Sequence, residues 1–321
     1  MPPRRGGSSR LCACSAARFA ENIVEPIGYN PSDTLANRAA ERSAARRLLE
    51  DRGSMTKTAL VTGASSGIGR ATARLLVEHG YRVIGTSRHP ETIAESDRIP
   101  GVEYRALDLT DVAGIEEFGA QLGPIDVLVN NAGESQSGPF EELPREALLR
   151  LFQLNVFGQV RLTQLVLPGM RERGYGRVVM VGSMLASFPL AYRSSYVAAK
   201  AAIKGFADAA RLETSPFGVW ITTVEPGSIS TGIGERRTKY IAEDSPYGDD
   251  FRTMLTRLDH NERNGIPPEK VAALILRAIE ADRPKPLYAT GSRAPLVFLL
   301  RRLVPGSVIE RVVARVHGLR R

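Results

Sequence analysis

The chain has few cysteines and histidines, which bears on two features: disulfide bonds and metal sites. The only cysteines, Cys12 and Cys14, stand together near the start of the 321-residue sequence. No disulfide can therefore cross-link the body of the protein, which fits a reducing compartment, and we expect a cytoplasmic location. The four histidines are scattered without ligand spacing, so we expect no metal site.

Long apolar runs are also missing. The longest run near the C-terminus, PLVFLL, is far shorter than the ~20 residues that cross a bilayer. The net charge of +8 is unevenly placed, because the segment from Arg283 to the end holds nine Lys or Arg and one acid, Glu310. That segment accounts for the whole excess, so the basic composition does not indicate a nucleic-acid-binding domain.

Composition divides the chain into three regions. Residues 1–54 are rich in Arg, Ser and small side chains, and we expect a weakly ordered or partly helical extension. Two explanations for it stay open: a targeting leader, or translated sequence upstream of a true start at Met55. Residues 55–292 alternate short apolar runs with amphipathic segments, and residues 293–321 form a basic extension.

Seven apolar runs in the central region predict strands. They are TALVTG, YRVIGTS, VEYRALDL, IDVLVNNAG, GRVVMVGS, VWITTVEPG and KPLYATG, with helical periodicity between them. Strands that are apolar throughout and alternate with helices are typical of a parallel sheet covered on both faces. The predicted class is α/β, a doubly wound sheet of about seven strands, whose carboxyl ends meet at one ligand-binding edge.

The first predicted strand runs into TGASSGIGRATA, which places Gly63, Gly67 and Gly69 at a strand-to-helix turn. Glycine permits positive φ and lets a phosphate approach the backbone, and the helix N-terminus presents free N–H groups to an anion. Because the turn follows a strand and opens a helix, it predicts a nucleotide site. The spacing is G-x-x-x-G-x-G, not the commoner G-x-G-x-x-G.

A second pattern lies in SSYVAAKAAIKGF, residues 194–206, where Tyr196 and Lys200 stand one helical turn apart. Both side chains then lie on the same helix face. A nearby ammonium group favours the phenolate and lowers the pKa of a phenol, so the two residues can form an acid/base pair. The same spacing also arises by accident on a partly exposed helix, and the pair alone does not decide between these explanations.

Six motifs in order favour the acid/base pair. TGASSGIG, NNAG, LNVFG, GSM, YVAAK and EPGSIST follow one another, and on these motifs residues 57–292 resemble the classical short-chain dehydrogenase/reductase family. The layout, including PLYATGS, is similar to the steroid and retinol dehydrogenase-like branch. The resemblance implies a Rossmann-like single domain over residues 55–292 that binds a nicotinamide cofactor, and assembly as a homodimer or homotetramer.

The resemblance implies catalytic roles for four residues. Tyr196 is the general acid/base, and Lys200 lowers the pKa of that phenol and binds the nicotinamide ribose. Ser183 holds the substrate oxygen, and Asn155 holds a water in a proton relay. Further residues are implied as cofactor contacts: Gly63, Ser65, Ser66, Gly67, Ile68, Gly69, Asp108, Leu109, Asn131, Ala132, Gly133, Tyr196, Lys200, Pro226, Gly227, Ile229 and Thr231.

The end of the second predicted strand indicates which cofactor is used. Ser87 and Arg88 stand where an NAD enzyme usually has an acid that binds the ribose 2′-hydroxyl. A hydroxyl and a guanidinium can instead bind a 2′-phosphate, so we expect NADP(H) in preference to NAD(H).

Two apolar sets flank the expected substrate site, and both admit two interpretations. They either contact a lipophilic alcohol or ketone, such as a steroid, retinoid or acyl compound, or they only pack against the protein. One set belongs to a polar lid over residues 232–265, and the other to the opposite rim; they are Tyr240, Tyr247, Phe251, Met254 and Leu255, and Met184, Leu185, Phe188 and Leu190.

In the C-terminal extension, apolar residues alternate with arginines at helical spacing, broken at Pro305 and Gly306. A basic amphipathic segment can lie peripherally on an anionic membrane. It can equally pack over the substrate pocket or against another subunit, and the sequence leaves these alternatives open.

The sequence therefore predicts an NADP(H)-dependent oxidoreductase that interconverts a primary or secondary alcohol and its aldehyde or ketone, on a small lipophilic substrate, without nucleic-acid partners. The alternative is a sensor or scaffold protein that binds NADP(H) without turnover, because fold does not guarantee chemistry. Such proteins typically lose the tyrosine or the lysine, whereas this sequence keeps Asn155, Ser183, Tyr196 and Lys200.

Overall fold

A computed structural model describes residues 56–319, except the side chains of Pro295 and Arg302. The predictions for residues 1–54 lie outside this range. Within it, each of the seven predicted strands is found in one parallel sheet of order β3-β2-β1-β4-β6-β7-β9. The strands are β1 Thr58–Val61, β2 Arg82–Ser87, β3 Val102–Ala106, β4 Val127–Asn130, β6 Gly176–Val181, β7 Val219–Pro226 and β9 Leu287–Thr290.

Two short strands, β5 Gln136–Ser137 and β8 Thr238–Lys239, pair with each other outside the main sheet. The helices are α1 Gly67–Glu78, α2 Val112–Ala120, α3 Arg145–Phe152, α4 Gly158–Glu172, α5 Ser194–Thr214, α6 Gly248–Arg263, α7 Pro268–Glu280, α8 Ala294–Leu303 and α9 Gly306–Val316.

Alternate residues of each central strand enter different hydrophobic layers. In β1, Ala59 and Val61 pack beneath α1 and α7, whereas Leu60 packs on the other face beneath α2, α4 and α5. Because side chains alternate across a strand, a central strand covered on both faces must be apolar at every position. This confirms the predicted doubly wound, Rossmann-like parallel sheet.

The strand order reverses between β1 and β4, and the crevice of such a fold lies at that point. The Asn131 amide nitrogen donates hydrogen bonds to the Thr62 carbonyl at 2.9 Å and to the Gly63 carbonyl at 3.3 Å. The Thr62 hydroxyl accepts hydrogen bonds from the backbone N–H groups of Asn131 and Ala132. These contacts fix the ends of β1 and β4 relative to each other.

The helical segment after β5 is not one continuous α-helix. One turn of π-helix, Gln153–Phe157, separates α3 from α4, and it contains Asn155. Such a turn inserts an extra residue into the ladder and is frequent at functional sites.

The second half of the predicted lid forms α6, whose inner face is buried. Phe251 and Met254 of α6 are buried with Leu190 and Tyr192, and Leu319 closes the same cluster. The C-terminal extension forms α8 and α9, separated near Pro305 as its sequence predicts. Among residues 56–319, no helix is both long enough and apolar enough to span a membrane.

Candidate active site

The glycine-rich turn after β1 forms the floor of a cavity at the carboxyl edge of the sheet. Gly63 has φ +66°, in the region that glycine adopts without strain. At Gly69, a Cβ atom would lie 2.2 Å from the Gly63 carbonyl oxygen, so only glycine lets α1 start this close to the turn. The N-terminus of α1 therefore opens onto the cavity, where its dipole favours an anion.

This first cavity, of about 260 Å³, extends from the turn to the ends of β2 and β3. Ser87 and Arg88 line its β2 end, and Arg236 adds a second cation that the sequence did not single out. Of the predicted cofactor contacts, it brings together Gly63, Ser65, Ser66, Gly67, Ile68, Ser87, Arg88, Leu109, Asn131, Ala132, Gly133 and Thr231. This donor set fits the phosphates of a dinucleotide.

Two predicted contacts do not line either cavity. Gly69 acts through packing, as described above. The Asp108 carboxylate accepts hydrogen bonds from the Thr110 N–H at 2.8 Å and from the Thr110 hydroxyl at 2.7 Å. Burial raises the pKa of Asp108, whereas the hydrogen bonds from Thr110 and the charge of the nearby Arg88 lower it. The lowering effects together are larger, so the net shift of the pKa is downward.

A second cavity, of about 230 Å³, holds the remaining predicted residues apart from Asn155, which lines neither cavity. Ser183, Tyr196, Lys200, Pro226, Gly227 and Ile229 line it. It shares wall residues with the first cavity, so the two are neighbours along the sheet edge; the shared residues are Ile68, Asn131, Gly133, Glu134, Thr231 and Ile233. A molecule in the first cavity can therefore reach the hydroxyl groups in the second.

Tyr196 lies in the first turn of α5 and is 8% exposed. Ser183 follows β6, and its Oγ accepts a hydrogen bond from the Leu185 N–H at 3.2 Å, which fixes the loop beside the phenol. Burial raises the pKa of Tyr196 overall, while the Arg193 charge and the Ser183 hydroxyl lower it. Burial and the neighbouring groups therefore shift the pKa of Tyr196 in opposite directions.

Lys200 is 4% exposed, and its Nζ donates a hydrogen bond to the Val181 carbonyl at 2.8 Å. Nζ lies 5.8 Å from the centre of the Tyr196 ring. Burial without a carboxylate partner lowers the pKa of Lys200 to about 8. Tyr196 and Lys200 do share a helix face, as predicted, but the strongest influence that lowers the pKa of Tyr196 comes from Arg193 and not from Lys200.

Asn155 is fully buried in the π-helical turn. Its Nδ2 donates to the Glu134 carbonyl and its Oδ1 accepts from the Glu134 N–H, both at 3.0 Å. The side chain therefore fixes the loop after β4 beside Lys200. Its role in a water relay stays a prediction.

The second cavity is mainly apolar, and residues distant in sequence contribute to it. Met184, Leu185 and Phe188 of the rim set line it, whereas Leu190 and the five lid residues do not. Leu190 instead packs in one apolar cluster with Tyr247, Phe251, Met254 and Leu255. Sequence reasoning missed Arg193, Leu258, Glu262, Val313 and His317. The helical spacing of the tail was visible, but the packing of α9 over this cavity was one of several alternatives.

Within the described range 56–319, no three His, Cys, Asp or Glu side chains are grouped so that they could hold a metal ion.

Comparison with known proteins decides the family. The family model described as short chain dehydrogenase matches residues 57–241. The chain belongs to the short-chain dehydrogenase family. It is accordingly an oxidoreductase of a family that binds a nicotinamide cofactor.

Three known proteins illustrate the similarity. A short-chain dehydrogenase from Streptomyces avermitilis has a crystal structure with a TM-score of 0.70 and 36% identity, covering 82% of this chain and 97% of that one. A 3-ketodihydrosphingosine reductase of Bacteroides thetaiotaomicron is 33% identical over 231 residues, 70% of this chain and 84% of that protein. A short-chain dehydrogenase from Sphingobium yanoikuyae in complex with NADPH has a TM-score of 0.62 and 25% identity, covering 77% and 93%.

Replacement of Gly69 tests the packing of the turn. In Gly69→Ala, the new Cβ collides with the Gly63 carbonyl, so the turn must shift and we expect affinity for the nicotinamide cofactor to fall ~10-fold or more, a loss of ~1.4 kcal/mol. Fluorescence titration with NADPH and with NADH measures it. Gly205→Ala, in open space on α5, is the matched control and should bind as wild type. Unchanged affinity in Gly69→Ala would contradict this account.

Proposed function

We propose that this short-chain dehydrogenase is an NADP(H)-dependent enzyme that interconverts a lipophilic alcohol and its ketone or aldehyde, with Tyr196 as the general acid/base. One observation carries the proposal: Ser183, Tyr196 and Lys200 line one largely apolar cavity that adjoins the cavity of the glycine-rich turn. A carbonyl group in the second cavity is then within reach of both hydroxyls and of a nicotinamide held from the first.

The residues have distinct roles in this reaction. When bound, the nicotinamide exchanges a hydride with the carbonyl carbon. In reduction, the Tyr196 hydroxyl gives its proton to the carbonyl oxygen, and in oxidation the phenolate takes the proton from the alcohol. The Ser183 hydroxyl donates a hydrogen bond that orients the substrate oxygen. Lys200 binds the nicotinamide ribose, and Asn155 holds the loop at Glu134 and the proposed relay water.

The charges of the first cavity support a preference for NADP(H). Ser87, Arg88 and Arg236 line it, and the end of β2 carries no acid that would repel a 2′-phosphate. The member from Sphingobium yanoikuyae was solved with NADPH. We propose that Arg88 and Arg236 bind the phosphate of the adenosine ribose.

The lining of the second cavity supports a lipophilic substrate. Met184, Leu185, Phe188, Leu258 and Val313 present apolar surface around the hydroxyl groups. The similar protein of Bacteroides thetaiotaomicron is named for a long-chain ketone, 3-ketodihydrosphingosine. We therefore place long-chain ketones beside steroids and retinoids among the candidate substrates.

Turnover of a substrate panel tests the proposed function. NADPH oxidation is measured with lipophilic ketones and aldehydes, using wild type, Tyr196→Phe and Ser183→Ala. Because general acid catalysis contributes about 10²–10⁴-fold, we expect Tyr196→Phe to lose at least ~10²-fold in kcat with NADPH affinity retained. Binding of NADPH without turnover of any panel member would favour the sensor or scaffold alternative. Full activity of Tyr196→Phe would refute the acid/base role.

Charge replacement tests the cofactor preference. In Arg88→Glu, the carboxylate repels the 2′-phosphate but can bind a ribose hydroxyl, so we expect kcat/KM for NADPH to fall ~10-fold or more while that for NADH does not fall. Arg74→Glu, on the exposed side of α1 and outside the first cavity, is the control. A wild-type preference for NADH would contradict the assignment.

We also propose that α8 and α9 lie on an anionic membrane surface. Leu296, Leu299 and Leu303 form an outward stripe on α8, and Val312 and Val316 continue it on α9, each at least half exposed. The C-terminal extension, residues 293–321, holds seven arginines against one acid, a net +6 of the chain's +8, so charge complementarity favours acidic lipid headgroups. α9 also lines the second cavity, which places the contact beside the entrance for a lipophilic substrate.

Vesicle co-sedimentation tests this contact. We expect binding to vesicles with phosphatidylglycerol but not to pure phosphatidylcholine, and weaker binding at high salt. Leu299→Glu combined with Leu303→Glu should abolish it, whereas Leu212→Glu on α5, also exposed, should not. Association of copies through the stripe, with no vesicle binding, would contradict the proposal.

We propose that the protein forms a homodimer or homotetramer through a different surface, on α4 and α5. Phe157, at the start of α4, and Phe206 on α5 are about half exposed, and large apolar side chains on neighbouring helices are typical of contacts between subunits. The mass of the protein in solution decides this point.

A further inference from the structure

Arg193 is a buried cation in direct contact with the proposed catalytic phenol. It stands three residues before Tyr196, at the N-cap of α5, and is 2% exposed. Its guanidinium carbon lies 4.4 Å from the centre of the Tyr196 ring, nearer than the Lys200 ammonium at 5.8 Å. Arg193 also lines the second cavity.

The guanidinium is held by neutral oxygen atoms. Its Nη1 donates to Ser135 Oγ at 2.9 Å, to the Gln136 carbonyl at 3.0 Å and to Ser137 Oγ at 3.1 Å. Among the described residues, no carboxylate lies within ion-pair distance of it. Its charge therefore acts on the surroundings without cancellation by a direct partner, and the same hydrogen bonds anchor β5 to the start of α5.

Other charged groups around Tyr196 oppose one another. Arg237 pairs with Asp259 at 2.6 Å and with Glu262 at 2.5 Å, so two carboxyl groups share one guanidinium. Glu262 raises the pKa of Tyr196, and Arg237 and Arg193 lower it. Glu134, from the loop after β4, and His317, from the C-terminal end of the chain, also line the cavity.

The two cations near the phenol differ in how long they keep their charge as pH rises. The pKa of Lys200 is lowered to about 8 by burial, and that of Arg193 is lowered only to about 10. As pH rises, Lys200 therefore loses its proton before Arg193 does, and Arg193 is the longer-lasting positive charge beside the phenol.

We propose that Arg193 is a positioning residue for Tyr196: it fixes the ring through its face and stabilises the phenolate form by its charge. The proposal rests on the acid/base role of Tyr196 proposed above. It assigns a second cation, besides Lys200, to the tuning of this site.

The pH profile of alcohol oxidation tests the charge. Phenolate is the active form in this direction, so kcat/KM rises with pH through the pKa of Tyr196. In Arg193→Met the loss of the cation disfavours the phenolate, and we expect this rise to move upward by about 1 pH unit or more. Arg193→Lys, which keeps a charge, should return the profile toward wild type.

A matched control separates charge from packing. Arg177 is also a buried arginine, 7% exposed, with its guanidinium carbon 4.7 Å from the centre of the Tyr175 ring. It lies near the amino end of β6, whereas the candidate active site lies at the carboxyl ends of the strands. Arg177→Met should lower the melting temperature and leave the pH profile unchanged. If Arg193→Met does not fold, Arg193→Gln carries the same test, because its amide can still donate to β5.

A substrate-free measurement accompanies the profile. Ultraviolet difference titration of each protein against its Tyr196→Phe counterpart follows phenolate formation directly, and Arg193→Met should titrate at higher pH than wild type. A profile and titration equal to wild type would overturn the role of Arg193 alone. Full activity of Tyr196→Phe would instead overturn the proposed function beneath it.

Discussion

The hydrogen bonds from Asn131 to the end of β1 are the constraint on which the candidate site depends. They hold β1 and β4 in place where the strand order reverses, and both cavities share Asn131 as a wall residue. The cavity of the glycine-rich turn extends from that point toward the end of β2, and Ser183 and Tyr196 lie on the side of β6. The parallel topology therefore brings an anion-binding helix terminus beside a pair of hydroxyl groups.

Burial gives the second cavity its chemical character. A phenol and two cations lie in surroundings that exclude most water, and each charge acts there more strongly than it would at the surface. Burial alone raises the pKa of Tyr196 and lowers that of Lys200. The protonation state of the Tyr196 phenol therefore depends on a balance between desolvation, which favours the neutral form, and nearby positive charge, which favours the phenolate. Among the described residues, Arg193 makes the largest contribution that favours the phenolate.

The fold and the centre of the site were predictable because their signals are local. Seven apolar runs indicated seven strands, and the turn, Tyr196 and Lys200 were visible as short patterns with a physical reason. Arg193 was three residues from Tyr196, but nothing in the sequence reports that β5 supplies neutral acceptors that bury its charge. Glu262 and His317 enter the cavity from elements whose packing depends on the assembled sheet.

Two residues at motif positions, Gly69 and Asp108, show what a motif does not indicate. Gly69 lets α1 start close to the turn, and the Asp108 carboxylate accepts hydrogen bonds from Thr110. A motif indicates which backbone geometry is needed, whereas the direction of a side chain follows from its neighbours. The sequence of the C-terminal extension likewise did not indicate that Val313 and His317 line the second cavity.

Combined isotope effects on NADPH oxidation, with a ketone that the enzyme reduces, test proton donation by Tyr196. If hydride transfer and proton donation by Tyr196 occur in one step, deuterium at the transferred position of NADPH and deuterated solvent should both slow kcat/KM. We expect both effects in the wild type. A clear effect of the labelled NADPH together with no solvent effect would contradict proton donation by Tyr196 in that step.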